Sequence, residues 1–176
     1  MFIQLAAIAV ATLAVAWVVL ASGNARLGAR RPRLDSLTRS RVAQWTRIVE
    51  RESRGQATPS LVLAVIARES GGDANAHGRA GELGLMQLTV GAWTDYARET
   101  GDPDASTFES VNASEINIRV GAWFLSRQIE ATNSRFHGLR AYNCGLVGSR
   151  RNPTCGADYA SWILEVAEPE FKGAAV

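Results

Sequence analysis

The sequence predicts a mostly α-helical domain with a substrate groove, preceded by one transmembrane helix. Apolar side chains recur at three- and four-residue intervals along several segments, which is the spacing of a helix with one buried face. No segment shows the alternation of apolar and polar residues that a substantial sheet requires. Long polar loops separate the predicted helices, and such loops in a compact helical domain favour a lined groove over a plain bundle.

Residues 1–22 are predicted to form a transmembrane anchor or signal-anchor. No charged side chain occurs in this stretch, and residues 2–21 are long enough to cross a hydrocarbon core of ~30 Å as a helix. A cleaved signal peptide is the alternative, because the small residues around 21–25 form acceptable cleavage sites. Residues 23–35 follow as a basic juxtamembrane linker that carries several arginines.

Residues 36–170 are predicted to fold as one domain, and residues 171–176 to form a flexible tail. Asn112 or Ser114 is the expected cap of the longest helix. Gly121 inside that helix costs about 1 kcal/mol of helix propensity, which indicates close packing against another backbone. Periodicity and start and stop signals predict helices at 36–53, 58–70, 90–99, 115–131, a short segment ending at Gly145, and 158–167, with loops at 71–83 and 146–156.

The helix predicted over residues 58–70 ends in a carboxylate on its apolar side. Val62, Val65, Ile66 and Glu69 share one face of a 3.6-residue repeat. If that face is buried, the carboxyl group loses hydration and its pKa rises, which gives an acid that still carries a proton near neutral pH. Judged from this helix alone, the alternative is a solvent-exposed glutamate at a frayed helix end.

Composition and motifs argue against nucleic acid, metal and nucleotide chemistry. The net charge is only +2, and no basic stripe interleaved with aromatic residues occurs, so no nucleic-acid partner is expected. The two histidines and two cysteines have no recognisable metal-ligand spacing. No glycine-rich phosphate-binding fingerprint is present, so no nucleotide cofactor is expected.

Short motifs follow one another along the chain: Glu69-Ser70, Gly84-Leu85-Met86-Gln87, Asn117 with Gly121, and Ala141-Tyr142-Asn143. In this order and spacing the chain resembles the SLT-type lytic transglycosylases. These are lysozyme-like enzymes that cut peptidoglycan and are related to goose-type lysozyme. The resemblance extends from Thr58 to Trp162 and implies a lysozyme-like helical domain. Each motif alone is weak, whereas the whole series behind an apolar helix is specific.

The resemblance implies a role for each motif residue. Glu69 matches the catalytic acid/base, and we expect it at the cleft floor, partly buried and facing Tyr142. Judged singly, each of three residues also fits a structural role. Gln87 could be a helix cap, and Tyr142 a core residue whose hydroxyl lies at the surface. Glu115 could be a carboxylate at the start of a helix. The residues matched to substrate binding, in the cleft or under it, are Ser70, Met86, Gln87, Glu115, Asn117, Tyr142 and Asn143.

The implied reaction needs one carboxylic acid and neither a metal nor a cofactor. The acid protonates the glycosidic oxygen between MurNAc and GlcNAc. The C6 hydroxyl of MurNAc then closes on C1 and leaves a 1,6-anhydro end. The alternatives are a hydrolytic muramidase and a non-catalytic glycan-binding scaffold, for example in a secretion or phage machine.

The chain departs from the family pattern at three positions near the expected cleft. Gly72 stands where the family usually has a hydrophobic residue, and Gly78 where it often has a serine. Glu82 replaces a small residue of the usual turn. A carboxylate there is either a solvent-facing loop charge or a group that helps a water molecule attack, and the second case favours the muramidase.

Cys144 and Cys155 flank a loop rich in Gly, Arg and Pro, directly after Tyr142-Asn143. In an oxidising compartment they are expected to pair and tether this loop. Closing a loop of this size stabilises the fold by roughly 2–3 kcal/mol in the chain-entropy model. In the cytoplasm, two free thiols are the alternative.

The implied activity places the domain in the periplasm or cell wall, anchored in the inner membrane. The arginines just after the apolar segment oppose this orientation, because positive charges tend to stay on the cytoplasmic side. The expected partners are peptidoglycan glycan strands, the membrane through residues 2–21, and a secretion, conjugation or phage machine.

Overall fold

The structure of the protein, a computed structural model, describes residues 33–173. Two 3-10 turns, Pro103–Ala105 and Phe108–Asn112, precede the longest helix, and a π-helical segment, Ile163–Ala167, joins the last two helices. Over the described range, β-type pairing is limited to isolated bridges at Leu83. The α-helices in chain order are α1 Ser36–Ala43, α2 Thr46–Glu52, α3 Pro59–Glu69, α4 Val90–Thr100, α5 Ser114–Thr132, α6 Arg135–Cys144, α7 Leu146–Arg151, α8 Ala157–Trp162 and α9 Glu168–Phe171.

Helix α3 forms the centre of the core. Every residue from Leu61 to Ala67 is buried, and α1, α2, the π-helical segment and α9 all pack around this helix. Burial of each large aliphatic side chain contributes ~1.5–3 kcal/mol, so this short helix is fixed by packing on all sides. Pro59 occupies its first turn, as predicted, and Glu69 ends it where the core meets the surface.

Helices α5 and α6 pack closely because of a glycine at their contact. A Cβ on Gly138 would lie 2.7 Å from the Cα of Ile129, so only glycine allows this approach. Asn133 adopts a left-handed conformation that ends α5, and the Ser134 hydroxyl accepts a hydrogen bond from the His137 N–H to cap α6. The tight turn orients α6, which carries Tyr142 and Asn143 in its last turn.

Several predicted helix boundaries differ from the observed ones. Residues 36–53 form two helices, α1 and α2, and the Trp45 indole at the break donates a hydrogen bond to the Gly72 carbonyl. Neither Asn112 nor Ser114 caps α5, because the capping position is Ala113, which has no capping side chain. Tertiary packing, rather than local capping, therefore fixes these helix ends.

Helix α7 lies in a segment predicted to be a loop. The buried Arg140 side chain donates hydrogen bonds to the carbonyls of Ser149 and Asn152 at the end of α7, and to that of Cys155 beyond it. A guanidinium group thus satisfies the carbonyls that a helix end leaves without partners. These hydrogen bonds join two different helices, so the periodicity within either segment did not show them.

The predicted anchor at residues 1–22 and most of the linker 23–35 lie outside the described residues. Leu34 is buried and the Asp35 carboxylate caps α1, so these two residues belong to the folded domain rather than to a linker. Arg39 pairs with Glu170 at 2.5 Å and joins α1 to α9. Phe171, predicted to begin the flexible tail, is buried as the last residue of α9, so the folded domain extends past the predicted boundary at 170. Across residues 33–173, no helix has the length and apolarity to cross a membrane.

Candidate active site

A cavity of about 260 Å³ opens at the end of α3 and gathers side chains from three parts of the chain. Glu69 comes from α3, Gln87 from the loop before α4, and Tyr142 and Asn143 from α6. These are four of the residues singled out from the sequence. The complete lining is Glu69, Glu82, Gln87, Thr89, Tyr142 and Asn143.

Glu69 is a carboxyl group whose surroundings favour its protonated form. Burial raises the pKa of Glu69 to about 7, because the charged form loses its hydration. The hydrogen bond from Tyr159 and the charge of Arg68 lower the pKa, and the charge of Glu82 adds to the rise. The balance leaves an acid that gains and loses a proton near neutral pH, as sequence analysis predicted.

Tyr159 of α8 holds this carboxyl group and was not foreseen from the sequence. Its hydroxyl donates a hydrogen bond of 2.5 Å to Oε1 of Glu69. Burial, followed by the charge of Glu69, raises the pKa of Tyr159 well above its usual value, so the hydroxyl remains a donor. The only sequence signal is that Tyr159 shares a helix face with Ile163 and Val166, and a buried tyrosine hydroxyl needs a partner.

Tyr142 forms a wall of the cavity and fixes the turn beside it. Its hydroxyl donates a hydrogen bond of 2.8 Å to the Met86 carbonyl, and its ring packs against Phe124 with centroids 5.5 Å apart. Burial, and then the charge of Glu69, raises the pKa of Tyr142 well above its usual value. Glu69 and Tyr142 therefore line one cavity, while the hydrogen-bond partner of Glu69 is Tyr159.

Hydrogen bonds from its amide nitrogen hold the Gln87 side chain in place and leave its amide oxygen free to accept a hydrogen bond. Its Nε2 donates to the carbonyls of Ala76 and Gly84, at 3.1 and 2.9 Å. Its backbone has φ +47°, a conformation that costs a non-glycine residue about 1–3 kcal/mol and that clusters at functional sites. The cap of α4 is Thr89, whose hydroxyl accepts from the Ala92 N–H, so Gln87 is not a helix cap.

Asn117 and Met86 lie beneath the cavity and do not line it. The amide of Asn117 accepts from the Met86 N–H and donates to the carbonyls of Leu83 and Val111, each at 2.9 Å. The Met86 side chain is fully buried, and a Cβ on Gly121 would lie 2.3 Å from its sulfur. Gly121 therefore makes room for a side chain, not for a second backbone as predicted.

The profile of the family described as Transglycosylase SLT domain matches residues 47–164, which is more than half of the chain. The chain belongs to this family. All residues that line the cavity, and Tyr159 with them, lie within the matched range. The resemblance drawn from the motifs is thereby confirmed.

Curated relatives of this SLT domain include the endo-type membrane-bound lytic murein transglycosylase A of Salmonella typhimurium and that of Salmonella choleraesuis. Each is 33% identical over 112 residues, which cover 62% of this chain and 55% of the relative. The chain thus spans about half the length of the curated relatives it matches.

Solved structures share the fold of this SLT domain. The 70 kDa soluble lytic transglycosylase SLT70 from Escherichia coli superposes with a TM-score of 0.57 at 24% identity, over 61% of this chain and 18% of that one. The complex of the 70 kDa enzyme with bulgecin A gives a TM-score of 0.61 at 24% identity, over 66% and 19% of the two chains. The predicted lysozyme-like helical domain is confirmed at the level of the fold.

Glu115 of this SLT domain lies away from the cavity. Its carboxylate pairs with Arg51 at 2.9 Å and with Arg119 at 3.4 Å, in a network that also contains Glu52 and Asp102. The structure therefore does not place Glu115 near a substrate bound at Glu69. Its position fits the alternative role, a carboxylate in the first turn of α5.

Ser70 and Gly72 connect the end of α3 to the rest of the SLT domain. The Ser70 hydroxyl donates to the Leu85 carbonyl at 2.9 Å and accepts from the Gly72 N–H, so it supports the cavity without lining it. Gly72 has φ +86°, and a Cβ there would lie 2.8 Å from the Arg41 carbonyl carbon. The departure at this position allows the α1–α2 segment to approach the loop after Glu69.

Cys144 and Cys155 form a disulfide bond next to Asn143. The bond ties the end of α6 to the segment before α8, which carries Tyr159. Within residues 33–173, no group of His, Cys, Asp or Glu side chains is arranged to hold a metal ion.

Proposed function

We propose that the chain is a peptidoglycan lytic transglycosylase in which Glu69 is the single acid/base. The observation that supports this most strongly is a carboxyl group with a pKa of about 7 in a cavity built from the family's motif residues. The names of the curated relatives and of the solved structures agree with a peptidoglycan substrate.

Glu69 begins the reaction in its protonated form. It donates its proton to the oxygen of the β-1,4 bond between MurNAc and GlcNAc, the bond from C1 breaks, and GlcNAc leaves as an alcohol. The acetamido group of MurNAc stabilises the cation at C1. The Glu69 carboxylate then takes the proton of the C6 hydroxyl as that oxygen bonds to C1. The acid is regenerated, and no water is consumed.

The other residues of the site hold the substrate or the acid. The free oxygen of Gln87 and the exposed amide of Asn143 offer hydrogen bonds to hydroxyl and acetamido groups. Tyr159 orients the carboxyl group of Glu69, and Tyr142 forms the wall beside it. Ser70, Met86 and Asn117, for which the family resemblance implied a role near the substrate, act by shaping the floor.

A muramidase is the second candidate, and Glu82 is the observation that favours it. Its carboxylate lines the same cavity as Glu69, so a second acid is present where sequence analysis placed a loop charge or a hydrolytic base. A hydrolase would use that acid to activate a water molecule, and its product would be heavier by one water.

We further propose that the domain works outside the cytoplasmic membrane, tethered by residues 1–22. The word membrane-bound in the names of the relatives and the disulfide bond both agree with an exported protein. Reporter fusions at the C-terminus test the orientation, and activity of a cytoplasmic reporter would refute it. A secretion, conjugation or phage machine as partner stays a prediction.

Clearance of purified peptidoglycan tests the catalytic role. Glu69→Gln keeps the size of the side chain and its hydrogen bond from Tyr159 but removes the transferable proton. We expect its rate of clearance to fall at least a hundredfold, the usual contribution of a general acid/base. Equal clearance by the two proteins would exclude Glu69 as the acid, and no clearance by either would favour the glycan-binding scaffold.

A further inference from the structure

Glu82 lies in a short turn whose hydrogen bonds direct its carboxylate back over the loop. The Gly78 N–H donates to the Glu82 carbonyl at 2.8 Å, and the Gly81 N–H donates to the Gly78 carbonyl at 3.2 Å. The carboxylate Oε2 accepts from the Ala80 N–H at 2.9 Å. The side chain is therefore anchored through one oxygen, and the other oxygen has no partner within this turn.

Gly78 provides the space into which this carboxylate folds. A Cβ at this position would lie 2.1 Å from Oε2 of Glu82 and 2.8 Å from its carboxyl carbon. The backbone of Gly78 is not in the left-handed region, so its conformation does not require glycine. Glycine at this position thus leaves room for Glu82. The two departures from the family pattern, at 78 and 82, are therefore linked by this contact.

Two acceptor oxygens lie near each other on the wall of the cavity that Glu82 and Gln87 form. The same Cβ position on Gly78 lies 2.9 Å from Oε1 of Gln87, so the Glu82 carboxylate and the free Gln87 oxygen are neighbours. Among residues 33–173, Glu82 pairs with no arginine, lysine or histidine. The wall therefore presents acceptors with a net negative charge, which suits ligands that offer N–H and O–H donors.

We propose that Glu82 is a specificity-determining residue that contacts the substrate. Together with Gln87, it accepts hydrogen bonds from the acetamido N–H or a hydroxyl of the sugar bound beside Glu69. This inference rests on the proposed function, because it takes the bound ligand to be an N-acetylated glycan. Glu82 acts on the sugar and not on a water molecule.

Titration calorimetry with a tetrasaccharide of alternating GlcNAc and MurNAc tests this contact without turnover. The measurements use the full chain carrying Glu69→Gln, so that the ligand is not cleaved. Adding Glu82→Ala should weaken binding about ten- to a hundredfold, the effect of losing one hydrogen bond to a charged acceptor. Adding Glu82→Gln keeps an acceptor oxygen, so the logarithm of the fold-loss in affinity should be about half of that for Glu82→Ala.

Gly78→Ala separates the position of the carboxylate from its presence. The new methyl group displaces Glu82 and also presses on the Gln87 oxygen, so binding should weaken at least as much as in Glu82→Ala, although the acid is still there. Glu50→Gln is the matched control, because Glu50 is exposed on α2 and lines no part of this cavity. Melting curves identify any variant that fails to fold.

The possible results distinguish this inference from the proposed function. Binding that is unaffected by Glu82→Ala and by Gly78→Ala overturns the contact alone. Absence of any tetrasaccharide binding contradicts both the contact and the proposed function. If Glu82→Gln removes a hydrated product from wild-type digests while binding stays the same, Glu82 acts on water and the inference is wrong.

Discussion

Replacing Glu69 with glutamine should stabilise the protein at pH 8 and leave its stability unchanged at pH 4. The folded state raises the pKa of Glu69 from 4.5 to about 7, so folding favours the protonated carboxyl group. The contribution of this group to stability is therefore complete below pH 4.5 and is lost as the pH rises through 7. Glutamine is neutral at every pH and does not incur this loss.

The size of the effect follows from the two pKa values. At ~1.4 kcal/mol per pKa unit, a rise from 4.5 to about 7 corresponds to at most roughly 3 kcal/mol at pH 8. For a domain of this size, that difference raises the melting temperature by up to roughly 10 °C. The Tyr159 hydroxyl can also donate to the glutamine oxygen, and its stronger hydrogen bond to the carboxylate is already contained in the pKa of about 7.

Urea unfolding of wild type and Glu69→Gln at pH 4, 5, 6, 7 and 8 measures this difference. The free energies of unfolding should agree at pH 4 and then separate steadily in favour of the variant. Glu50→Gln, at an exposed position on α2, should show no comparable separation. A constant difference between wild type and Glu69→Gln at all pH values would refute the burial of a protonated carboxyl group at this site.

Three further substitutions probe the surroundings of the site. Tyr159→Phe removes a hydrogen bond that lowers the pKa of Glu69, so the alkaline limb of the pH–rate profile should move to higher pH; an unmoved limb would contradict that role. Asn117→Ala leaves buried backbone groups without partners and should cost about 3 kcal/mol in urea unfolding, whereas a loss below ~1 kcal/mol would contradict its supporting role. Cys144→Ser with Cys155→Ser should cost roughly 2–3 kcal/mol, as should reduction of the wild type, and melting curves with and without reductant check this.

The sequence allowed the central helix to be predicted from local signals, and its acid from the series of motifs that follows it. An apolar run that begins at Thr58-Pro59 and ends at Glu69 predicts a buried helix, whereas the desolvated carboxyl group was favoured over an exposed one only by the later motifs. The motifs around Gln87 and Tyr142 then identified the other sides of the cavity. The three lining residues that they supplied, Gln87, Tyr142 and Asn143, come together with Glu69 in the structure.

The contacts that were missed join different elements of the fold. Tyr159 reaches Glu69 across 90 positions, and no local pattern distinguishes it from an ordinary core tyrosine. The carbonyls at the end of α7 accept hydrogen bonds from Arg140 of another helix. Because the sequence of the segment does not show this contact, it was predicted to be a polar loop. Gly121 signals close packing correctly, but only the fold shows that its neighbour is the Met86 side chain.

Mass spectrometry of peptidoglycan digested in water enriched in ¹⁸O tests the proposed reaction most directly. If Glu69 directs the C6 hydroxyl onto C1, wild-type products should carry 1,6-anhydro ends that contain no ¹⁸O, and Glu69→Gln should give no products. Reducing ends that carry ¹⁸O would show that water attacks C1, and the protein would then be a muramidase.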